Sequence, residues 1–329
     1  MKNFEYAAPR TESEAVALLS DQPGHTEILA GGTDLVGLMK KMVVQPERVV
    51  YIGGVPSMKG VAPTADGGVR IGAGTTLDEV LDSPYVQAYP GITQAIRGIN
   101  SMQLQCQGTF GGDICQRARC WFFRNGHGLL ADGGRIAADG AGELHAIFGN
   151  RGSARFVNGS RIAPALIALG AEARVIGPAE GEEHLIPLDA FFRTPRHERE
   201  RETVLEPNQL LTHVVLPPAS GHSGAYEVRH GEGPDYPLAA SAASLDIRGG
   251  VVRDARVVLG QVAPIPWVSQ AAADAIRGLA VSEATAEAAG DAAVADATPL
   301  SQNEYKVQLA KVAVKRAILL AAGLETGGF

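Results

Sequence analysis

Two short glycine-rich segments constrain the fold of this chain more than any other feature of its sequence. Residues 29–35 read LAGGTDL, and residues 108–114 read GTFGGDI. Each places adjacent glycines and a threonine between an apolar stretch and a possible helix start. Glycine lets the main chain approach a ligand closely, and unpaired N–H groups in such a turn can face an anion. Either segment alone could be only a tight turn, but the two together favour a pyrophosphate site.

The common nucleotide-binding signatures are absent from the sequence. No G-x-x-x-x-G-K-[ST] occurs, which excludes a P-loop. Residues 72–77, GAGTTL, begin like G-x-G-x-x-G but have Leu77 at the third glycine position, so the dinucleotide fingerprint of a Rossmann fold is not met. A dinucleotide would therefore need another mode of binding.

Helix and strand patterns alternate along the N-terminal part. Thr11 with Glu14, and Thr76 with Glu79, have the spacing of capping boxes at helix starts. Periodicity and turn residues predict strands at 27–30, 48–52, 69–73 and 210–216, and helices at 34–42 and 160–170. This alternation predicts an α+β or α/β sheet domain.

A different pattern follows Pro217 and Pro218, which are the best candidates for an interdomain linker. Residues 226–262 predict a strand meander, and three alanine-rich helices come after it. The last helix is predicted from Gln302 to about Ala322, with Ser301 and Glu304 at its start. Its apolar face, expected to pack on the sheet of the same domain, comprises Leu309, Val312, Ala313, Ala317 and Leu320.

Composition excludes several classes of function. The chain has 329 residues, 45% of them hydrophobic, which predicts two or three globular units. Its 29 Lys and Arg against 36 Asp and Glu give a net charge of −7, so nucleic acid is not an expected partner. No run approaches the ~20 apolar residues of a membrane span, and residues 1–10 lack the pattern of an export signal.

Four motifs in this order resemble the FAD-binding subunits of the xanthine dehydrogenase family. They are the segments 29–35, 71–76 (IGAGTT), 108–113 and 163–170 (APALIALG). The chain is similar to the medium subunit of carbon monoxide dehydrogenases, and more closely to the FAD subunits of bacterial aldehyde oxidoreductases. The resemblance extends over essentially the whole chain.

The resemblance implies an α+β fold: a two-subdomain FAD-binding domain of the vanillyl-alcohol oxidase type followed by a small α+β C-terminal domain. The implied divisions are residues 1–218, with a subdomain boundary near 55–60, and residues 222–329. FAD is the implied cofactor. The implied cofactor-binding residues are Leu29, Ala30, Gly31, Gly32, Thr33, Asp34, Leu35, Thr109, Gly111, Gly112, Asp113, Ser160 and Leu210.

Within this set, backbone donors suit phosphates, whereas the side chains of Asp34 and Asp113 could bond ribityl or ribose hydroxyls. Two departures from the family pattern stand out. Arg161 follows Ser160 where relatives often have an acid that helps to hold a ribose, and Glu227 stands where a lysine is usual. The charge around the flavin is therefore expected to differ from that in relatives.

The three cysteines, Cys106, Cys115 and Cys120, are too few for iron–sulfur clusters. Some relatives carry a [4Fe–4S] cluster after the second glycine segment, and Cys120 stands where one ligand would be. A cubane takes four thiolates, and a pair of [2Fe–2S] clusters takes about eight ligands. Buried thiols in a reducing cytoplasm are therefore expected, although a signal-bearing partner could export the folded subunit.

The segment around Cys120 also raises a docking hypothesis. Arg117, Arg119 and Arg124 surround three aromatic residues, a composition typical of interface hot spots, although a loop folded on its own domain is the simpler alternative. His127 and His145 lack the ligand spacing of a metal site. No catalytic acid or base is expected in this chain.

The resemblance implies that this chain relays electrons within a molybdenum hydroxylase. A large subunit with molybdenum cofactor would oxidise an aldehyde or heterocycle, and a small [2Fe–2S] subunit would pass electrons to FAD, with a dimer of heterotrimers as the candidate assembly. Two alternatives stay open: a free-standing FAD oxidoreductase of the same fold, or a scaffold without flavin.

Overall fold

The computed structural model describes residues 1–179, 181–219, 221–231, 233 and 235–326. The first of its three sheets is parallel, with strand order β1-β3-β2. Two helices connect its strands. The elements are β1 (Glu5–Ala7), α1 (Glu12–Ala17), β2 (Thr26–Leu29), α2 (Leu35–Lys40) and β3 (Arg48–Tyr51).

The second sheet has five antiparallel strands in the order β4-β5-β8-β6-β7. Its strands are β4 (Val61–Pro63), β5 (Val69–Gly72), β6 (Glu172–Ile176), β7 (Glu183–Pro187) and β8 (Leu210–Leu216). The helices between them are α3 (Leu77–Asp82), α4 (Pro90–Gly98), α5 (Met102–Gln107), α6 (Phe110–Ile114), α7 (Trp121–Arg124), α8 (Arg135–Asp139), α9 (Ala163–Ala168) and α10 (Leu188–Phe191). Strand β8 pairs with β5 although the two strands are far apart in sequence, so this sheet joins the beginning and the end of the segment from Val61 to Leu216.

The third sheet is an antiparallel meander in the order β12-β11-β10-β9, with three helices after it. Its elements are β9 (His222–Val228), β10 (Ala239–Arg248), β11 (Val251–Gly260), β12 (Trp267–Val268), α11 (Gln270–Ile276), α12 (Glu283–Val294) and α13 (Tyr305–Ala321). This mixed architecture confirms the α+β fold class predicted from the sequence.

Strand β10 is rich in alanine because both of its faces are covered. Ala242 belongs to the core shared with the N-terminal sheets, whereas Ala239 and Ala243 belong to the core under the C-terminal helices. Neighbouring β9 is tighter still, since a Cβ at Gly224 would lie 2.5 Å from the backbone nitrogen of Ala321 in α13. Small side chains therefore let one sheet lie between two layers of helices.

Local sequence signals locate several of these elements. Thr11 caps α1 by accepting from the Glu14 N–H at 3.2 Å, and the capping box at Thr76 and Glu79 is present. The predicted strand 210–216 is confirmed. Pro217 lies at its end, where its carbonyl accepts from a tyrosine hydroxyl; Ser220, in the predicted linker, lies outside the described residues.

The prediction for the last helix is partly wrong. It begins at Tyr305 rather than Gln302, and no side-chain cap involves Ser301. Among its buried residues are Lys306, Ala310, Ala313, Val314, Ala317 and Ile318, whereas Val312 and Leu320 are half-buried. The reason is that α13 packs on α12 as well as on the sheet, so its buried arc is wide and includes small residues.

Among the described helices, none is long and apolar enough to cross a membrane.

Lys306 is buried at the base of α13 without a carboxylate partner among the described residues. Its Nζ donates to the carbonyl oxygens of Leu144, His145 and Gln261, at 3.3, 3.1 and 2.8 Å. It therefore ties α13 to the segment before α9 and to the end of β11. Burial lowers the pKa of Lys306 to about 7.

The lowered pKa of Lys306 predicts how the free energy of unfolding changes with pH. Because the folded pKa of Lys306 lies below the unfolded value of about 10.4, the unfolded chain binds more protons between these values. The stability of the native chain should therefore rise with pH from about 7 to 10, by up to about 1.4 kcal/mol per pH unit, relative to that of Lys306→Met. Urea unfolding of both proteins at pH 7 and 9.5 measures the difference.

A control for that measurement lies on the same helix. Lys315 pairs with Glu283 and Glu287 at the surface, which raises its pKa, so Lys315→Met should not reproduce the relative rise. Parallel pH curves for the native chain and Lys306→Met would contradict the lowered pKa of Lys306.

Candidate cofactor site

The first glycine loop, residues 30–34, connects the end of β2 to the start of α2. Gly32 has a φ of +74°, a conformation that glycine adopts without strain. Within the described part of the chain, the N–H groups of Gly32, Thr33 and Asp34 have no hydrogen-bond acceptor. The loop thus offers adjacent backbone donors at a strand end, which suits an anionic group.

The second glycine loop, residues 108–113, packs against the turn that follows β5. The N–H of Gly111 donates to the carbonyl oxygen of Ala73 at 2.9 Å, and a Cβ at Gly111 would lie 2.5 Å from that of Ala73. Thr109 accepts from the N–H of Gly112 at 3.2 Å. Glycine is therefore required at position 111 by close packing.

The two glycine loops touch each other. A Cβ at Gly31 would lie 3.3 Å from the Cα of Gly108 and 1.8 Å from the carbonyl oxygen of Gln107, the residue before the second loop, whose side-chain amide donates to the Gly31 carbonyl at 3.1 Å. No side chain could fit at position 31 without moving the backbone. The loops therefore form one continuous wall.

A cavity of about 480 Å³ lies in front of this wall, a volume typical of small-molecule sites. The predicted cofactor-binding residues that line it are Ala30, Gly31, Gly32, Thr33, Asp34, Leu35, Thr109, Gly111, Gly112 and Leu210. Leu29, Asp113 and Ser160 are not among the lining residues. The structure thus brings most of the predicted residues together around one cavity.

The segment 193–211 also lines the cavity, and sequence reasoning predicted only Leu210 of its lining residues. Arg193, His197 and Arg201 lie there, and the Nε of Arg193 is buried without a partner among the described residues. Arg201 also pairs with Glu27 of β2. The available signal was the charge-dense run RHERERE at 196–202, and its cations suit a diphosphate.

Asp34 and Asp113 already use their carboxylates within the protein. Asp34 accepts from the Arg117 N–H at 2.8 Å and pairs with Arg124 at 2.6 Å. Asp113 is buried and accepts from the Ser160 hydroxyl at 2.6 Å. Their bonds to ribityl or ribose hydroxyls stay a prediction, since the structure shows other partners for both.

Burial raises the pKa of the Asp113 carboxyl above its ordinary value, although its hydrogen bond from Ser160 opposes this rise. Ser160 therefore does not line the cavity but contacts it indirectly, by donating to the carboxyl group of Asp113, the residue after Gly112. The two departures from the family pattern also lie together, because Arg161 and Glu227 form a buried ion pair. Their charges offset each other, which the sequence did not reveal.

The docking hypothesis for Arg117, Arg119 and Arg124 stays a prediction, although all three side chains pair with acids of this chain. Arg117 pairs with buried Glu202 at 2.9 Å, and Arg119 and Arg124 pair with Asp34 at 3.5 and 2.6 Å. Burial by itself would raise the pKa of the Glu202 carboxyl, but the charge of Arg117 and the hydrogen bonds from Arg117 and the Ala118 N–H together lower it below its ordinary value. The side chains of these arginines are 16%, 27% and 18% exposed, so their guanidinium groups are half-buried beside the acids that they neutralise.

The expectation of buried thiols is wrong for Cys106, which is exposed, and Cys115 is half-buried; Cys120 is a buried thiol, as expected. Its Sγ lies 3.3 Å from the Nε2 of His145, whose ring is tilted against Phe122. Burial raises the pKa of the Cys120 thiol and lowers the pKa of His145 to about 4, so both groups are neutral at pH 7. Among the described residues there is no cluster of three or more potential metal ligands.

Comparison with known proteins identifies the class of this site. The family model described as "FAD binding domain in molybdopterin dehydrogenase" matches residues 2–219, and that described as "CO dehydrogenase flavoprotein C-terminal domain" matches residues 224–321. The chain belongs to this family of FAD-binding oxidoreductase subunits.

Individual relatives can be aligned with this chain over nearly their full length. The chain is 32% identical to the aldehyde oxidoreductase FAD-binding subunit PaoB of Escherichia coli, covering 94% of this chain and 96% of that one. It is 29% identical to the carbon monoxide dehydrogenase medium chain of Hydrogenophaga pseudoflava, covering 96% of each. A solved carbon monoxide dehydrogenase from that organism superposes with a TM-score of 0.76, at 29% identity and 98% coverage of both chains.

The residues present fit FAD. Unpaired N–H groups at Gly32 and Thr33 suit phosphate oxygens, and the unpartnered Nε of Arg193 adds a cationic donor at the same cavity. The close contact at Gly31 holds the two loops at a fixed separation.

The close contact at Gly31 predicts that adding one methyl group at this position weakens FAD binding and lowers stability. Gly31→Ala should weaken FAD binding by at least about tenfold and lower stability by about 1–3 kcal/mol, because its Cβ overlaps the Gln107 carbonyl. Gly37→Ala is the control, since Gly37 lies in α2 with no atom within 4 Å of its Cβ. It should leave FAD binding unchanged and stabilise the chain by about 0.5–1 kcal/mol.

Fluorescence titration of the flavin-free proteins with FAD, together with urea unfolding, measures both effects. Wild-type FAD affinity in Gly31→Ala would show that the separation of the loops does not govern cofactor binding.

Proposed function

We propose that this chain is the FAD-binding electron-transfer subunit of a molybdenum hydroxylase that oxidises an aldehyde or a heterocycle. The observation that carries this proposal is the cavity in front of the two touching glycine loops, within a segment that matches the FAD-binding family model. The names of the relatives, an aldehyde oxidoreductase subunit and a carbon monoxide dehydrogenase medium chain, support it.

The residues of this chain would bind and orient the cofactor. The N–H groups of the first loop would hold phosphate oxygens, and Arg193, which lines the same cavity, would donate to the same diphosphate. Thr109 and Gly112 would form the floor under the dinucleotide. Bound FAD would supply the redox chemistry, taking electrons from iron–sulfur clusters of a partner and delivering them to an acceptor.

The partners in this proposal are a large subunit with molybdenum cofactor and a small [2Fe–2S] subunit, assembled as a dimer of heterotrimers. The cysteine count supports this division of labour, since Cys106, Cys115 and Cys120 cannot ligate two [2Fe–2S] clusters. The three free thiols also support a cytoplasmic location.

We further propose a domain division at residues 1–218 and 222–329, with the subdomain boundary near 55–60. The first sheet ends at Tyr51 and the second begins at Val61, which supports the inner boundary. Family-model matches to 2–219 and 224–321 support the outer one.

Purification from the native host tests the function. A tagged chain should copurify with two further subunits and carry equimolar FAD, seen as absorbance near about 370 and about 450 nm and as FAD released by acid. Metal analysis of the same sample should find molybdenum and iron, and removal of the partners should remove both metals while FAD stays with this chain.

Other results would support the alternatives. A solitary chain that turns over a small alcohol or NAD(P)H would favour a free-standing FAD oxidoreductase. A complex without flavin bands would favour a scaffold. Either result would overturn the proposed electron-transfer role.

A further inference from the structure

Arg161 and Glu227 join the two parts of the chain through a buried ion pair. Their side chains are 3% and 8% exposed. The Nε of Arg161 donates to Glu227 Oε1 at 2.9 Å and its Nη2 donates to Oε2, so the pair is bidentate. Nη2 also donates to the carbonyl of Gly98 at the end of α4. Glu227 of β9 thus fixes the orientation of a side chain in the N-terminal part.

The backbone of Arg161 continues this link to the second glycine loop. Its N–H donates to the Asp113 carboxylate at 3.1 Å, next to the hydroxyl of Ser160 at 2.6 Å and the N–H of Ile162 at 3.2 Å. Asp113 follows Gly112 directly in the chain. Two steps, from Glu227 to Arg161 and from Arg161 to Asp113, therefore connect the C-terminal sheet to the cavity wall.

A second contact from the C-terminal part holds the same segment. The Gln261 side-chain amide donates to the Ser160 carbonyl at 2.8 Å, and Gln261 adopts a φ of +57°, which is unusual for a residue with a side chain. Gln261 also accepts from Lys306 through its carbonyl. The 160–161 segment is thus held from β9 and from the end of β11.

We propose that Arg161 and Glu227 are positioning residues for the flavin nucleotide: the C-terminal sheet, through this ion pair, holds the second glycine loop in the shape that retains FAD. This rests on the proposed function only in its requirement that the chain binds FAD. Breaking a buried pair leaves an uncompensated charge, so the 160–161 segment and Asp113 would shift. The shift would displace Thr109, Gly111 and Gly112 from the cavity wall.

The test compares FAD dissociation constants of full-length variants. Glu227→Gln should weaken FAD binding about tenfold, and Arg161→Glu and Glu227→Arg should weaken it further. The double variant Arg161→Glu with Glu227→Arg should recover affinity to within about threefold of the native chain, since it restores opposite charges. Titrations at low temperature report on folded protein, because a loss of stability alone does not change affinity while the chain stays folded.

A matched control is the ion pair of Arg256 in β11 with Asp189 in α10, which also joins the C-terminal sheet to the N-terminal part but is exposed. Arg256→Glu and Asp189→Arg should leave FAD affinity within twofold, since exposed pairs contribute little. If the reversed variants fail to fold, Glu227→Gln and the double variant decide the question. Unchanged affinity in Glu227→Gln, or a folded double variant that does not recover, would overturn the proposal.

Failure of the proposed function would look different. If the native chain binds no FAD at any concentration, the proposed function is wrong. If the native chain binds FAD and all Arg161 and Glu227 variants bind it with the same affinity, only the positioning role of these two residues is wrong.

Discussion

The shape of the cavity wall depends on the hydrogen bonds that the buried carboxylate of Asp113 accepts. A carboxylate without partners in the protein interior is costly, so its donors must be held in place. Those donors are the Ser160 hydroxyl and the N–H groups of Arg161 and Ile162 on one side, with the Gln116 amide on the other. One group therefore fixes the second glycine loop, the start of α9 and the segment after α6 relative to each other.

A comparable arrangement surrounds the first loop, where Asp34 pairs with Arg119 and Arg124. Because acidic side chains in both loops are satisfied internally, the negative charge of the loops is offset before any ligand arrives. The backbone donors of Gly32 and Thr33 remain available. Acidic residues in these loops are thus compatible with anion binding, since their side chains bond to other protein groups and the main-chain N–H groups stay free for a ligand.

Local signals in the sequence located strands β2, β3, β5 and β8, the capping box at Thr76 and the two glycine loops of the cavity, because glycine pairs and caps act over a few residues. The lining residues between 193 and 209 could not be located in this way, since no local pattern shows that Arg193 reaches the cavity; Leu210 was implied by the resemblance alone. The inward orientation of Arg117 was also hidden, because its partner Glu202 is distant in sequence. The pairing of Arg161 with Glu227 has the same cause: each residue departs from the family pattern alone, and only the fold shows the two as partners.

The C-terminal sheet is part of the architecture of the site. Ala225, Ala242 and Val258 belong to the same core as Ile71 of β5 and Phe110 of the second glycine loop, so apolar packing is continuous across the chain. A rigid packed interior transmits displacements to its neighbours. A change in the C-terminal sheet would therefore reach the second loop through packing as well as through the Arg161 ion pair, and the shape of the cavity wall is a property of the whole chain.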